Sequence, residues 1–160
     1  EVPLDIEKTA ADWFEEQVAE RPEATALIFN ETCWTYDELN RLANRVAWHL
    51  QATGIGAGRL VGIMADRSVE LIAGILGVWK AGGAYVPLDP DYPEERIAYM
   101  LMDSGVDVVL TQSHLEERVT QHGVSSVCME ALAEEAEEVV NPMRTNAAGD
   151  IAYVIYTSGS

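Results

Sequence analysis

Basic residues are scarce in this sequence. It has 10 Lys and Arg against 27 Asp and Glu, for a formal net charge of −17. Proteins that bind nucleic acid need clustered Lys and Arg to displace counterions from phosphates. Here the basic residues are scattered singly, so we expect neither nucleic acid nor an anionic membrane as a partner. The acidic run at residues 134–138 is typical of a solvated helix face.

Cysteines and long apolar runs are also few. Cys33 and Cys128 are the only cysteines, far apart and outside any CxxC or His-rich pattern, so no metal site is predicted. Two free thiols favour a reducing compartment. No signal peptide is visible at the start of the chain, and no apolar run approaches the ~18 residues that span a bilayer. These features predict a cytoplasmic, soluble domain.

The apolar content is sufficient for a core, since 48% of the 160 residues are hydrophobic and the length fits one domain. Strand and helix patterns alternate from residue 60 to the end, at intervals that suit crossover connections. Parallel strands need such crossovers, and their burial gives continuous apolar runs. We therefore predict an α/β fold with a mostly parallel sheet, preceded by a hairpin at residues 26–35.

Local signals place the helices. Thr35 with Glu38, and Ser113 with Glu116, have the spacing of a capping box. Ser68 can cap a helix through Lys80, and further helices are predicted after Thr9, from Pro93 to Gly105, and from residue 129 to 140. The predicted strands of the sheet are residues 60–64, 84–88, 106–111, 124–128 and 151–157.

Other side chains able to carry chemistry receive structural interpretations. Asp89 and Asp91 flank Pro90, and we expect them to cap the following helix instead of acting as paired carboxylates. His49, His114 and His122 have no acidic or cysteine partner at useful sequence spacing. We expect the histidines at the surface or at helix ends.

The last residues, YVIYTSGS, form a predicted strand that opens into a loop of small polar residues. Ligands of open α/β sheets bind beyond the carboxyl ends of the strands. Gly159 permits a close backbone approach to phosphate oxygens, and Thr157, Ser158 and Ser160 add hydroxyl donors. The loop is not a Walker sequence, because that pattern ends in Gly-Lys-Ser/Thr.

Three runs together resemble the adenylation domain of nonribosomal peptide synthetases, which belongs to the adenylate-forming enzyme superfamily. The first is WTYDEL at residues 34–39, with Asn40 and Ala43-Asn44 following. The second is WKAGGAYVPLD at residues 79–89. The third is IAYVIYTSGS at residues 151–160, whose family form continues TGxPKG. The resemblance covers the whole chain, and the order and spacing of the runs agree with the family.

The resemblance implies an enzyme that uses ATP and Mg²⁺ to convert an amino acid to its aminoacyl-AMP. The acyl group would then pass to the phosphopantetheine thiol of a carrier-protein domain, and the family also implies a neighbouring condensation domain. Thr157, Ser158, Gly159 and Ser160 match the loop that holds the ATP phosphates, whereas the second motif is architectural. No catalytic residue is assigned.

Residues 1–160 are interpreted as the N-terminal part of such a domain, truncated within the phosphate loop. The loop's lysine and second glycine would follow Ser160, so we expect the chain alone to be inactive. Two alternatives stay open at this point. One is a fragment of an acyl-CoA or aryl-acid ligase of the same superfamily, and the other is a non-catalytic α/β binding module.

Overall fold

The computed structural model describes residues 10–55, 58–134 and 141–142. Its helices are α1 (Ala10–Glu20), α2 (Tyr36–Ala52), α3 (Val69–Lys80), α4 (Glu94–Ser104), a 3₁₀ turn (Ser113–Leu115), α5 (Glu116–Thr120) and α6 (Met129–Ala133). Its strands are β1 (Thr25–Phe29), β2 (Thr32–Thr35), β3 (Leu60–Met64), β4 (Ala84–Pro87), β5 (Val108–Thr111) and β6 (Ser125–Cys128). Within these ranges, each helix is too short or too polar to cross a bilayer.

The predicted hairpin is confirmed, since β1 and β2 pair antiparallel and Phe29 lies opposite Thr32. Asn30 and Glu31 connect the strands with φ angles of 49° and 68°. Two positive φ angles in a two-residue loop define a type I′ turn, whose twist matches that of the flanking strands. Asn tolerates this left-handed region, but Glu31 adopts it against its own steric preference.

The main sheet is parallel and has the order β4-β3-β5-β6. Gly62 of the central strand β3 lies opposite Val86 of β4 on one side and Val109 of β5 on the other. The chain adds β4 to one side of β3 and then crosses over to add β5 and β6 on the other side. The predicted α/β class with a mostly parallel sheet is therefore confirmed.

Helices cover both faces of this sheet, because successive side chains of a strand point to opposite faces. On one face, Val61 and Ile63 pack with Val46 of α2 and Val78 of α3. On the other face, Met64 of β3 belongs to a second cluster formed with helices α4 and α5. A third cluster, centred on α1, α2 and α3, lies outside the first helical layer.

The chain turns sharply between α3 and β4, and both glycines there are required. Gly82 has a φ of 92°, which an L side chain rarely adopts. A Cβ on Gly83 would lie 2.9 Å from the carbonyl oxygen of Arg59. The tight turn predicted for this pair is confirmed.

Two predicted caps are confirmed. Thr35 Oγ1 accepts from the Glu38 amide at 3.1 Å, while Glu38 Oε1 accepts from the Thr35 amide at 2.9 Å, which completes a capping box. Ser68 Oγ accepts from the Leu71 amide at 3.1 Å at the start of α3.

The capping box predicted for Ser113 and Glu116 is wrong. Ser113 lies inside a 3₁₀ turn whose N-cap is Gln112, and its amide donates to Glu130 Oε1 at 2.8 Å. The Glu130 carboxylate, 17 positions away, thus takes the place of the predicted local partner Glu116. The end of the predicted acidic helix, at residues 135–140, and the predicted strand at residues 151–157 lie outside the described residues.

Candidate functional site

The four residues predicted to hold ATP phosphates, Thr157, Ser158, Gly159 and Ser160, lie outside the described residues. The geometry that the structure does provide is the carboxyl edge of the sheet, where β3, β4, β5 and β6 all end. In sheets of this kind the ligand crevice opens where the strand order reverses, which here is between β3 and β5. The residues that follow these two strands therefore define the candidate site.

The crevice between β3 and β5 is occupied by Gln112, whose residue exposure is only 7%. Its Oε1 accepts from the Asp66 amide at 2.8 Å, and its Nε2 donates to Ser68 Oγ at 3.3 Å and Glu70 Oε1 at 3.4 Å. Just before it, Thr111 Oγ1 donates to the Met64 carbonyl at 2.8 Å. These contacts join the two strand ends, so the switch point is filled by the protein's own side chains.

A histidine–carboxylate pair lies at the rim of this crevice, where His114 Nε2 is 2.7 Å from Asp66 Oδ2. The expectation of a surface histidine is confirmed, because 55% of the His114 side chain is exposed, as is 57% of the Asp66 side chain. Sequence spacing offered no acidic partner for His114, and the fold supplies one from 48 positions away. His122 likewise lies 3.2 Å from Glu94.

Cys128 is the one titratable sulfur near the crevice among the residues that the structure describes. Burial raises the pKa of the Cys128 thiol above its ordinary value of 9.0, and the hydrogen bond to the Glu130 carboxylate at 3.2 Å adds to that increase. A thiol held in its protonated form is a poor nucleophile. The Cys128 thiol is therefore a poor candidate nucleophile. Both Cys33 and Cys128 are free of disulfide bonds.

A cavity of about 410 Å³ lies beside the crevice, between the carboxyl ends of β3 and β4. Charged residues from both loops line it, including Asp66 and Arg67 after β3 and Asp89 and Asp91 after β4. The predicted capping role of these last two residues is wrong. The N-cap of α4 is Pro93, which makes no side-chain cap bond, and Asp89 Oδ1 instead accepts from the Asp91 amide at 2.9 Å.

Arg118 of α5 holds the loop that forms one wall of the cavity. Its guanidinium donates to the Pro90 carbonyl, to the Tyr92 carbonyl at 3.3 Å and to Glu94 Oε2 at 2.7 Å. Arg96 lies over the Tyr92 ring, 4.6 Å from its centroid. The loop is thus preorganised by side chains, a feature that spacing along the sequence does not reveal.

Metal coordination receives no support from the described ranges, 10–55, 58–134 and 141–142. They contain no group of three or more His, Cys, Asp or Glu side chains placed to hold a metal ion.

Comparison with known proteins decides the family. Residues 14–160 match the family described as AMP-binding enzyme. The chain belongs to that family. Within it, a mycosubtilin synthase protein of Bacillus subtilis is 49% identical over 154 residues, and tyrocidine synthase 3 of Brevibacillus parabrevis is 47% identical over 158 residues. These alignments cover 96% and 99% of the chain but only 6% and 2% of those synthetases.

Solved structures of nonribosomal peptide synthetases share the fold. The nonribosomal peptide synthetase FmoA3 superposes with a TM-score of 0.86 at 34% identity, over 93% of this chain and 16% of that one. AB3403, a four-domain nonribosomal peptide synthetase bound to AMP and glycine, gives 0.78 at 36% identity, over 97% and 12%. NpsA-ThdA of Klebsiella oxytoca, an artificially fused adenylation–PCP didomain, gives 0.83 at 26% identity, over 94% and 28%.

These matches confirm the resemblance predicted from the three sequence motifs. The chain is similar to the N-terminal part of nonribosomal peptide synthetase adenylation domains over nearly its whole length. It spans a small fraction of the curated relatives that it matches, 6% of the mycosubtilin protein and 2% of tyrocidine synthase 3.

Proposed function

We propose that residues 1–160 are the N-terminal part of an amino-acid adenylation domain, and that the protein containing them activates an amino acid with ATP. The main support is the similarity to AB3403, whose structure holds AMP and glycine and which is 36% identical over 97% of this chain. In the reaction, an amino acid carboxylate oxygen attacks the α-phosphorus of ATP. The P–O bond to pyrophosphate breaks, leaving aminoacyl-AMP.

Within this proposal, Thr157, Ser158, Gly159 and Ser160 form the start of the loop that holds the ATP phosphates. Their hydroxyl and amide groups would donate to phosphate oxygens, and Gly159 would let the backbone approach closely. A reaction of this kind also needs cations on the phosphates, which Mg²⁺ bound with ATP would supply. We assign no Mg²⁺ ligand among the described residues, since no suitable group of side chains occurs there.

The acceptor of the activated acyl group would be the phosphopantetheine thiol of a carrier-protein domain. The adenylation–PCP fusion NpsA-ThdA, which superposes with a TM-score of 0.83, supports such a partner. A neighbouring condensation domain completes the proposed assembly, as the family resemblance implies. We place the enzyme in the cytoplasm, where ATP is available.

The test is ATP–pyrophosphate exchange by the complete adenylation domain, with each amino acid offered separately. We expect exchange with one amino acid or a small related set. Exchange only with aryl or fatty acids would instead identify a ligase of another branch, and no exchange with any acid would favour a non-catalytic module. Residues 157–160 contain no cation, so residues 1–160 alone should show no exchange above a heat-killed control.

The phosphate assignment has its own test in the same domain. Gly159→Leu should raise the KM for ATP at least about tenfold, because a side chain would occupy the space of a phosphate oxygen. Glu117→Leu is the matched control, because it adds a leucine at an exposed position on α5 and should leave the KM for ATP unchanged. Equal ATP affinity in the two variants would show that the loop does not hold the nucleotide.

A further inference from the structure

Lys80, the last residue of α3, is fully buried, with 0% of its side chain exposed. Burying an ammonium group is costly unless charged and hydrogen-bonding partners surround it. Glu15 of α1 supplies a carboxylate in contact with Lys80 Nζ, and the centroid of the Phe14 ring lies 5.8 Å from the same nitrogen. The proposed adenylation chemistry makes no use of this lysine, so its burial calls for another explanation.

A second partner of Lys80 comes from a distant part of the chain. Lys80 Nζ donates to Asn141 Oδ1 at 3.3 Å, across 61 positions of sequence. The same oxygen accepts from Asn40 Nδ2 and from Asn44 Nδ2, each at 3.0 Å. Asn40 and Asn44 are one helical turn apart on α2 and therefore face the same side. One amide oxygen thus joins α2, α3 and the segment at residues 141–142.

The donors of this cluster lie in or directly after two of the sequence motifs described above. Asn40 and Asn44 follow the first motif, and Lys80 lies within the second, WKAGGAYVPLD. Their common acceptor, Asn141, comes ten positions before Ile151, where the third motif begins. The cluster therefore links the first two motifs to the chain that leads into the third.

We infer that Lys80 and Asn141 are positioning residues for the ATP phosphate loop. They fix, against helices α2 and α3, the point from which the chain runs on to residues 157–160. The entropic cost of positioning a segment grows with the length of chain that leads to it from a fixed point, and Asn141 supplies such a point with only nine residues between it and Ile151. This inference rests on the proposed function, and it assigns a role to a motif that resemblance alone described as architectural.

The test compares variants of the complete adenylation domain in ATP–pyrophosphate exchange, with KM for ATP and for the amino acid measured separately. Asn141→Ala removes the shared acceptor and leaves the Lys80–Glu15 pair intact. We expect its KM for ATP to rise about threefold or more, as loss of a hydrogen-bond acceptor would give, while the KM for the amino acid stays within about twofold. Asn141→Asp retains an acceptor oxygen and should restore the wild-type KM for ATP.

Val119→Ala is the matched control, because it removes buried apolar volume in the cluster on the opposite face of the sheet. It should lower the unfolding temperature without a selective change in the KM for ATP. If Asn141→Ala does not fold, the double variant Lys80→Met with Glu15→Gln removes one of the three donors to Asn141 Oδ1 and should raise the KM for ATP in the same direction by a smaller factor. It removes a buried positive charge together with its negative partner.

The outcomes are distinguishable. The positioning inference alone would be overturned if the wild-type domain shows exchange and Asn141→Ala has the same KM for ATP as Val119→Ala. Failure of Asn141→Asp to restore the KM would overturn it as well. Absence of exchange by the wild-type domain with every amino acid would overturn the proposed function, and the inference with it.

Discussion

Gly77 of α3 lies against Val46 of α2 with no room for a side chain. A Cβ at Gly77 would be 2.5 Å from Val46 Cγ1, 2.6 Å from Val46 Cβ and 3.0 Å from the Ala43 carbonyl oxygen. Val46 is itself fully buried. The close approach of the two helices thus depends on this glycine.

Gly77→Ala should therefore destabilise the fold by about 2 kcal/mol, because overpacking outweighs the gain in helix propensity. Gly74→Ala is the matched control in the same helix. Its nearest neighbour would be the flexible Met129 Sδ at 3.0 Å, so its effect should stay within about 1 kcal/mol. Urea unfolding measures both free energies, and equal losses would contradict the contact.

The type I′ turn of the hairpin offers a stabilising change. Glu31 has a φ of 68°, where an L side chain is strained. Glu31→Gly should raise the free energy of unfolding by about 0.5–1 kcal/mol, since the relief of strain exceeds the added chain entropy. Glu31→Ala keeps the Cβ and should give no such gain. Thermal unfolding measures the stability of both variants. If Glu31→Ala stabilises the fold as much as Glu31→Gly, the gain comes from the lost negative charge and not from relief of backbone strain.

Arg118 provides a test of how the cavity wall is held. Arg118→Ala removes donors to two backbone carbonyls and a carboxylate, and it should cost about 2 kcal/mol of stability. Arg41→Ala is the control, because its pair with the half-buried Asp37, at 2.9 Å, spans one helical turn and should contribute less than about 0.5 kcal/mol. Arg118→Lys should recover little, since an ammonium cannot reproduce the guanidinium fork. Equal losses in the two alanine variants, measured by urea unfolding, would contradict the role of Arg118.

The Glu94 carboxylate should make stability depend on pH in the acid range. The hydrogen bond from His122, followed by the bonds and charge of Arg118, holds the pKa of Glu94 below its ordinary value of 4.5. A lowered pKa in the folded state stabilises the fold above pH 4.5. That contribution is lost as the pH falls through the lower, folded-state pKa.

A carboxyl NMR titration of the chain measures this shift. His122→Ala should raise the Glu94 pKa toward its ordinary value. His114→Ala is the control, because His114 contacts Asp66 instead, at 2.7 Å. If the two substitutions move the Glu94 titration equally, His122 is not the cause of the lowered pKa.

Local sequence patterns predicted the main elements well, because short-range physics decides them. The Thr35–Glu38 box, the Ser68 cap and the positive φ of Gly82 involve contacts within a few residues or a local backbone preference. The Ser113–Glu116 box has the same spacing but is absent. Glu130, 17 positions away, binds the Ser113 amide instead.

The long-range polar contacts could not be predicted from the sequence. Gln112 fills the switch-point crevice through residues more than 40 positions away, and Lys80 meets Asn141 across 61 positions. No periodicity or spacing rule encodes such pairs, since the folded topology alone brings them together. The phosphate loop at residues 157–160 stays a prediction from motif resemblance, outside the described residues.

The strand order has a consequence for synthesis on the ribosome. The central strand β3 pairs with β4 soon after it is made, but its other neighbour β5 lies some 47 positions later, as the Thr111–Met64 bond shows. At a translation rate of about 5–20 residues per second, β3 presents one open edge for roughly 2–10 s. Open strand edges favour pairing with other chains. Chaperone binding to the nascent chain should therefore concentrate in the interval before β5 emerges.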